Sequence, residues 1–361
     1  MSKKVTMQQI ADSLGVSKFV VSKALSGKDG VSEATRERVI QAASQLGYFT
    51  QKNAYMKSLK LEALPKVPKA KRQSVLVLMP NIRFQTKDSL YWGRILDGIT
   101  SRLEEDGYGM VIVSEQSVEH LVHFLNPNGI LGLIGVGEIS TPLLLEVHRI
   151  GMPMVLVDHE DHLIPSDTIF ANNHESMYRL TKHLIGIGHK ALAFIGDTRY
   201  SRSFYDRFLG FRCAMEEAGL WNGAVPGSGQ SMKEQLLEAQ GLEQGQFQER
   251  VLKWAKELQL KGSLPTALVC ANDTIAIGAA LAMESLGLAV PDDISLTGFD
   301  NIDDAYRYKP ALTTVHVPKE NLGRRAVQRL LERIEAKDAP LEKILLASEL
   351  LYRGTTARAK D

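Results

Sequence analysis

The sequence has few cysteines and no long apolar run, and both absences narrow its possible functions. Its 361 residues include two cysteines, Cys213 and Cys270, too few for a disulfide framework. The longest nearly uncharged stretch, residues 128–137, is about half the length that a bilayer-spanning helix needs. The chain starts Met-Ser-Lys-Lys and shows no signal peptide. We therefore expect a cytoplasmic protein that does not engage a membrane.

The net charge of +1 is divided unevenly along the chain. Residues 1–73 hold 14 Lys and Arg against 5 Asp and Glu, a net charge of +9. Residues 74–361 hold 29 against 37, a net charge of −8. This asymmetry predicts a basic head that meets a polyanion and a body that does not. A solvated basic tail is the alternative.

The first 47 residues carry the capping signals of three short helices. Thr6 and Gln9 form a capping-box pattern, and Gly15 suits the left-handed residue that ends a helix. Ser17 and Ser32 are positioned to cap the second and third helices. The predicted inward-facing residues are Ile10, Ala11, Leu14, Val21, Ala24, Leu25, Val39, Ala42, Ala43 and Leu46.

The spacing Ala11-x3-Gly15-x5-Val21 predicts a helix-turn-helix. A small residue lets the helices approach, a glycine makes the tight turn, and a branched side chain fills the gap between them. The second helix would enter the major groove of DNA with its outward face. A purely structural three-helix bundle is the alternative. The predicted outward residues are Lys18, Phe19, Ser22 and Lys23.

This head resembles that of the lactose-repressor (LacI/GalR) family. The resemblance is carried by the runs Val5 to Ala11, Gly15 to Ser17, Val21 to Gly27, Val31 to Val39 and Leu46 to Tyr48. It implies that double-stranded operator DNA is the partner and that Lys18, Phe19 and Lys23 contact bases. It also implies that phosphates, which fix register rather than sequence, are held by Thr6, Ser17, Ser22, Ser32, Thr35 and Tyr48.

Two positions of the second helix depart from the family pattern. Val20 replaces the usual Thr, and Lys23 replaces the usual Arg, which removes a bidentate fork for guanine. Phe19 has no hydrogen-bonding group, and we expect it to contact a thymine methyl. The operator is therefore expected to be unusual.

A hinge and a basic linker are expected behind the head. The family places a leucine wedge in the minor groove here, and Leu59 takes that position only if about two residues are inserted. The alternative is a basic tether, because prolines and six Lys and Arg between Lys57 and Arg72 are typical of an extended linker. We assign residues 1–60 to the head with its hinge and residues 61–73 to the linker.

From Ser74 onward, short apolar runs alternate with amphipathic segments. This alternation predicts an α/β fold with parallel sheets, helices on both faces and ligands at the carboxyl ends of the strands. Strands are predicted at residues 75–79, 110–113, 130–136, 154–157, 191–195, 267–270 and 294–296. Helices are predicted at residues 90–105, 175–185, 204–217, 247–258, 274–286 and 320–336.

The body resembles that of the same family, which is similar to periplasmic sugar-binding proteins. The motifs are Tyr91-Trp92-x5-Gly98-Ile99, Arg207-x2-Gly210-Phe211, Ala271-Asn272-Asp273-x2-Ala276 and Val290-Pro291-Asp292-Asp293 followed by Gly298-Phe299-Asp300. The resemblance implies a homodimer and two lobes around a small-molecule effector. We place lobe one at about residues 74–170 and 317–346, and lobe two at about 171–316 and 347–361.

Five residues are candidates for binding the effector. The donors of Arg207, the amide of Asn272 and the carboxylate of Asp300 suit a polyhydroxylated ligand. Tyr91 or Trp92 would stack on a sugar face or a purine. The alternatives are a surface ion pair for Arg207, a core position for Trp92 and capping roles for Asp300 and Asp273.

The combined pattern predicts a regulator, with a repressor relieved by a sugar as the favoured form. A corepressor-dependent regulator that needs a purine or a protein partner is the alternative, followed by a cytosolic sugar-binding or sugar-processing protein. Enzyme signals are weak, since Gly135-x-Gly137 lacks the third glycine of a dinucleotide loop. The segment 158–162 is rich in metal-ligand types but is better explained as a polar loop at the cleft. We expect no cofactor, no metal and no catalytic residues.

Overall fold

The structure, a computed structural model, describes residues 6–25, 32, 35, 38–39, 42, 73–80, 88–114, 116, 129–221, 235–238 and 247–360. The chain forms two compact units, Met1–Ala70 and Lys71–Asp361. Among the sequence-predicted site residues, Tyr48 and Leu59 lie outside the described part. No described helix is long and apolar enough to cross a bilayer.

The first unit contains helices α1 (Met7–Leu14) and α2 (Lys18–Leu25). The predicted capping box is confirmed, because Thr6 Oγ1 accepts from Gln9 N at 3.3 Å and Gln9 Oε1 accepts from Thr6 N at 2.9 Å. Gly15 ends α1 in the left-handed region at φ 65°. Ser17 Oγ then accepts from Val20 N at 3.3 Å and caps α2.

Apolar side chains from the two helices and the following segment form a small core. Ile10, Ala11 and Val21 are fully buried, and Ala24 and Val39 pack with them. These contacts explain the spacing of Ala11, Gly15 and Val21, since the small and branched residues meet across the turn. The first unit is therefore a helix-turn-helix held by caps and one apolar cluster.

The second unit alternates strands and helices along the chain. In order, its elements are β1 (Ser74–Leu78), α3 (Trp92–Glu105), β2 (Gly109–Val113), β3 (Ile130–Val136), α4 (Thr141–Arg149), β4 (Met154–Val157), β5 (Asp167–Ala171), α5 (Asn173–Gly186), β6 (Leu192–Ile195), α6 (Arg202–Glu217), β7 (Leu236–Leu237), α7 (Phe247–Lys261), β8 (Ala267–Cys270), α8 (Asp273–Ser285), β9 (Ser295–Thr297), α9 (Asp303–Arg307), β10 (Thr314–His316), α10 (Lys319–Glu335), β11 (Lys343–Leu346) and β12 (Glu349–Leu351).

Two parallel sheets organise these elements. A six-stranded sheet has the order β11-β5-β4-β3-β1-β2, and a four-stranded sheet has the order β7-β6-β8-β9. Strands β10 and β12 form an antiparallel pair beside the smaller sheet. The predicted α/β class with parallel sheets is confirmed.

The chain passes between the sheets three times, after β5, after β10 and after β11. Helix α10 returns to the larger sheet, where it packs against α3. Each passage is only a few residues long, so these segments are where the two sheets are linked. Asn173 and Lys319 begin the helices that follow the first two passages.

Glycines allow two helix pairs to approach closely. A Cβ built at Gly98 of α3 would collide with the backbone carbonyl of Glu320 on α10. A Cβ at Gly210 of α6 would collide with the carbonyl of His174 on α5. Both glycines belong to sequence motifs noted above, and the structure gives them a packing role.

Candidate functional site

The outward face of α2 presents the residues predicted to contact bases. Lys18, Phe19 and Ser22 are exposed, and the Phe19 side chain is 67% accessible. Lys23 is half-buried, with its Nζ 5.2 Å from the centroid of the Phe19 ring. An exposed aromatic ring beside a lysine offers both apolar and charged contacts to another surface.

Of the residues predicted to hold phosphates, Thr6 and Ser17 lie at helix N-termini, whereas Ser22 lies within α2. Thr6 and Ser17 accept backbone N–H groups of α1 and α2. Ser32 Oγ accepts from Thr35 N at 3.3 Å and lies 2.8 Å from Thr35 Oγ1. Helix N-termini favour anions, so these positions suit a phosphate backbone.

A cavity of about 450 Å³ opens at the carboxyl ends of strands from both sheets. Asp158 follows β4 of the larger sheet, whereas Asn272 and Asp300 follow β8 and β9 of the smaller one. All five predicted effector-binding residues line it. The described lining is Ser89, Leu90, Tyr91, Trp92, Glu138, Asp158, Tyr200, Ser201, Ser203, Phe204, Arg207, Asn272, Thr274, Ile275, Asp300, Ile302 and Asp304.

Arg207 forms a buried hub in the cavity wall, with only 2% of its surface accessible. Its guanidinium donates to Asn173 Oδ1 at 2.9 Å, to Ala271 O at 2.7 Å and to Asp300 Oδ1 at 2.9 Å. It also stacks 3.8 Å from the centroid of the Phe299 ring. These three bonds use three of the five donors of the guanidinium.

Asn173 connects the first passage between the sheets to this hub. Its Oδ1 accepts from Arg207, and its Nδ2 donates to Ser203 Oγ at 3.0 Å. Ser203 Oγ in turn donates a hydrogen bond to Asp158 Oδ1. Asp158 belongs to the larger sheet and Ser203 to the helix that follows β6, so this chain of bonds joins the two sides of the cavity.

Lys319 makes the corresponding link at the second passage. Its Nζ donates to Asp300 O at 2.5 Å and to Asn301 O at 3.2 Å. Burial lowers the pKa of Lys319, whereas the Asp300 carboxylate opposes that shift. Burial raises the pKa of Asp300, and the charges of Arg207 and Lys319 oppose it.

Tyr91 and Trp92 stand at the start of α3 with their rings edge to face, 4.9 Å apart. Both are half-buried and pack against the main core. The Tyr91 hydroxyl oxygen is buried and has no hydrogen-bond partner among the described residues. Burial, with the nearby charges of Asp158 and Asp300, raises the pKa of Tyr91 well above its usual value, so the hydroxyl stays a proton donor.

Asn272 and Asp273 both serve the start of α8. Asn272 Oδ1 accepts from Ile275 N at 2.9 Å, and Asn272 also lines the cavity. Asp273 accepts from Ile302 N at 2.9 Å and from Thr314 Oγ1 at 2.5 Å, and it is fully buried. Burial, followed by repulsion from Asp300, raises the pKa of Asp273 to about 7.

The segment from Asp158 to His162 serves both the cavity and local structure. Asp158 lines the cavity in the left-handed region at φ 54°. Asp161 accepts from Thr141 Oγ1 at 2.6 Å and from Leu163 N at 2.8 Å, as in a tight turn. Within the described ranges, no group of three or more His, Cys, Asp or Glu side chains is arranged to hold a metal ion.

Sequence analysis did not identify Glu138, Tyr200, Ser201 or Ser203 as cavity residues. Ser201 and Ser203 stand at the N-terminus of α6, a position where hydroxyls are usually explained by capping. The position of each polar residue just after a strand was the signal available, as it was for Asp300. It did not mark which of these residues face the same space.

Two family profiles match this sequence. The profile described as "Bacterial regulatory proteins, lacI family" matches residues 6–51, and the profile described as "Periplasmic binding protein-like domain" matches residues 181–356. The two matches together span more than half of the chain.

Curated relatives match over almost the full length. The chain is 28% identical to the HTH-type transcriptional repressor PurR of Vibrio vulnificus (strain CMCP6), with 98% of this chain and 99% of the relative covered. It is 29% identical to the protein of the same name from Haemophilus influenzae (strain PittEE), with 96% and 97% covered.

Solved structures of similar architecture include regulators with DNA and with ligands. The lac repressor dimer bound to operator and the anti-inducer ONPF superposes with a TM-score of 0.63 at 25% identity, over 98% of this chain and 99% of that one. A CelR–cellobiose complex superposes with a TM-score of 0.66 at 22% identity, over 97% and 99%, which shows a shared fold. With a capped helix-turn-helix head and a two-sheet body around a cavity, the chain belongs to the lacI family of bacterial DNA-binding transcriptional regulators.

Proposed function

We propose that this chain is a cytoplasmic, homodimeric repressor whose affinity for operator DNA is controlled by a small sugar or sugar derivative in the cavity. The observation that carries the proposal is the pairing, in one chain, of an exposed recognition face with a polar cavity whose wall contacts two passages between the sheets. The α2 face supplies DNA contacts through Lys18, Phe19, Ser22 and Lys23.

The cavity chemistry supports a polyhydroxylated effector. Arg207 and Asn272 line the cavity and carry N–H donors beyond those in the bonds described above, and Asp300 supplies an acceptor. Tyr91 and Trp92 supply aromatic surface on the opposite side. Structures of similar fold are described with bound cellobiose and bound ribose.

The coupling would run through the passages between the sheets. A ligand that contacts Arg207 or Asp300 acts on residues hydrogen-bonded to Asn173 and Lys319. These two residues begin helices directly after a passage, so a change in the cavity wall changes the angle between the lobes. Operator and effector would then prefer different states of one dimer.

The functional division follows the same logic. Residues 1–60 form the DNA-binding head with its hinge, and residues 61–73 form a basic linker. The body contains lobe one, about 74–170 and 317–346, and lobe two, about 171–316 and 347–361. Tyr48 as a phosphate contact and Leu59 as a minor-groove wedge stay predictions outside the described residues.

The test combines a ligand screen with operator binding. A thermal-shift screen of sugars and purines on the full chain identifies binders. Fluorescence anisotropy on a selected operator then measures affinity with and without each binder. A sugar that stabilises the protein and weakens operator binding supports the proposal. A stabilising sugar that leaves operator affinity unchanged contradicts it.

The second candidate is a corepressor-dependent regulator. It is favoured by the similarity to repressors named PurR. It is also favoured by Trp92, which lines the cavity and could stack on a purine. It predicts that a purine or protein partner raises operator affinity rather than lowering it. A cytosolic sugar-processing protein would instead convert a bound sugar, which chromatography of the incubated ligand detects. We propose no catalytic residues and no cofactor.

A further inference from the structure

The described cavity lining carries more negative than positive charge. It contains four carboxylates, Glu138, Asp158, Asp300 and Asp304, and one guanidinium, Arg207. Buried Lys319 lies behind the wall on the carbonyl of Asp300, and counting it leaves the excess negative. A cleft lined by one sign of charge concentrates its field and repels ligands of the same sign.

Helix N-termini also face the cavity, and at each of them a side-chain oxygen of the protein already accepts from one backbone N–H group. Ser89 Oγ accepts from Trp92 N at 3.3 Å at the start of α3. Ser201 Oγ accepts from Phe204 N at 3.2 Å at the start of α6, and Asn272 caps α8 in the same way.

The short helix α9 follows the same pattern with charged residues. It carries Asp303 and Asp304 in its first turn, and Asp304 lines the cavity. A carboxylate near a helix N-terminus offsets the positive end of the helix dipole. Each of these helix starts therefore carries a side-chain oxygen or carboxylate of the protein itself.

The Tyr91 hydroxyl is a donor that requires an acceptor from the ligand. It is buried without a partner in the described structure, and its neighbours Asp158 and Asp300 are carboxylates. A buried hydroxyl without a hydrogen bond is unfavourable, so a ligand atom that accepts from it is expected. A sugar hydroxyl can accept from Tyr91 and donate to a carboxylate at the same time.

From these contacts we propose that the cavity takes an uncharged or amine-bearing polyol and rejects phosphorylated sugars. The carboxylates reject the phosphate group, and Tyr91 donates a hydrogen bond to the bound polyol. The inference rests on the proposed effector role of this cavity and narrows its ligand class. A phosphate monoester carries nearly two negative charges at neutral pH and would face the carboxylates in a cleft with reduced solvent screening.

Matched ligands test the inference by calorimetry on the full chain. The panel is ribose with ribose 5-phosphate, and glucose with glucosamine and glucose 6-phosphate. Any sugar that binds is expected to bind roughly tenfold or more tightly than its phosphate ester, because the added charges are repelled. Glucosamine is expected to bind at least as tightly as glucose. A phosphate ester that binds as tightly as its parent sugar, or more tightly, overturns the inference.

Tyr91→Phe tests the donor in the same assay. Its loss of affinity for the bound sugar should exceed that of Tyr205→Phe, a matched change at an exposed position on α6. Equal affinity of Tyr91→Phe and the wild type would show that Tyr91 does not donate a hydrogen bond to the sugar. Circular dichroism checks that both variants fold.

A second measurement reads the cavity charge without a sugar. The fluorescence of Trp92, taken as the difference between wild type and Trp92→Phe, is quenched by iodide and by neutral acrylamide at constant ionic strength. For each quencher, the quenching constant of Trp92 is divided by that of a free tryptophan amide. This ratio should be several-fold lower for iodide than for acrylamide. Asp158→Asn with Asp304→Asn should remove the difference, whereas Asp206→Asn, outside the described lining, should not.

The two measurements separate the possible failures. If no sugar of the thermal-shift screen binds, the sugar part of the proposed function fails while quenching still decides the charge of the cavity. Equal quenching by iodide and acrylamide overturns the inference even where a sugar binds and releases the operator.

Discussion

Arg207 Nη2 lies 2.9 Å from Asp300 Oδ1, and both side chains are almost fully buried. The sequence allowed a surface ion pair for Arg207, but the observed pair is internal to the cavity wall. Because Arg207 also binds Asn173 and Ala271, it positions three segments of the wall as well as facing the ligand. Its removal should therefore affect folding as well as binding.

We expect Arg207→Ala to lower the free energy of unfolding by about 3–5 kcal/mol, because it leaves the Asp300 carboxylate buried without its partner. Urea denaturation followed by circular dichroism measures this. Arg212→Ala is the matched control on the same helix, since Arg212 pairs with Glu216 at the surface. The control should change stability by less than about 1 kcal/mol. Equal losses in both variants would show that the buried pair is not structurally important.

Gly210→Ala tests the close approach of α5 and α6. An added methyl group collides with the backbone at His174, and overpacking of this kind costs roughly 1–3 kcal/mol. Gly186→Ala, at the end of α5, is the control because a Cβ there meets open space. Alanine should be neutral or stabilising by up to about 1 kcal/mol at that position. If the two melting temperatures change alike, glycine is not needed for this packing.

The raised pKa of Asp273 predicts that the stability of the protein changes with pH in one direction. Its pKa in the folded protein is raised to about 7, against about 3.9 in the unfolded chain. The folded state holds an extra proton between these values, so this carboxyl makes stability fall as pH rises from about 4 to 7. The loss of stability caused by ionising buried Asp273 is absent below about pH 4 and complete above about pH 7.

Asp273→Asn should remove this dependence, since an amide can accept from Ile302 N and donate to the Thr314 hydroxyl. The difference in melting temperature, variant minus wild type, should therefore increase from pH 4 to pH 7 and then level off. A difference that stays constant over this range would mean that Asp273 is ionised throughout.

Lys23→Ala tests direct contact with the operator. We expect a loss of roughly 1–3 kcal/mol in operator binding, confined to sequences with the preferred base at one position. Lys190→Ala removes the same charge from an exposed site in the second unit and should have little effect. A loss that is equal for all DNA sequences would identify Lys23 as a phosphate contact instead.

Much of the fold could be predicted because buried parallel strands are short apolar runs between polar segments. All seven predicted strands match observed strands within about one residue, including β3 at Ile130–Val136. Among the described strands, β5, β7, β10, β11 and β12 were not predicted. β11 runs Lys343–Leu346 with alternating exposed and half-buried positions at the edge of the sheet, and its pairing with β5 joins residues more than 170 apart. Local periodicity contains little information about such pairing.

The sequence predicted the cavity residues that follow strands, but it did not predict the hydrogen bonds that connect the two sides of the cavity. Asn272 and Asp300 each follow a predicted strand, which places them at the ligand-binding edge of a parallel sheet. The bond from Asn173 to Ser203 and onward to Asp158 depends on how three distant segments meet. For the same reason, sequence patterns could not show that protein groups occupy three donors of Arg207.

Sequence-specific DNA binding through α2 can be measured by selection from sheared genomic DNA. Fragments bound by the purified full chain are sequenced beside those bound by a Lys18→Ala/Lys23→Ala variant, whose folding is checked by circular dichroism. We predict that the wild type enriches fragments sharing one sequence of approximate two-fold symmetry and that the variant does not. Enrichment of no common sequence by the wild type, or of the same sequence equally by both proteins, would contradict the account.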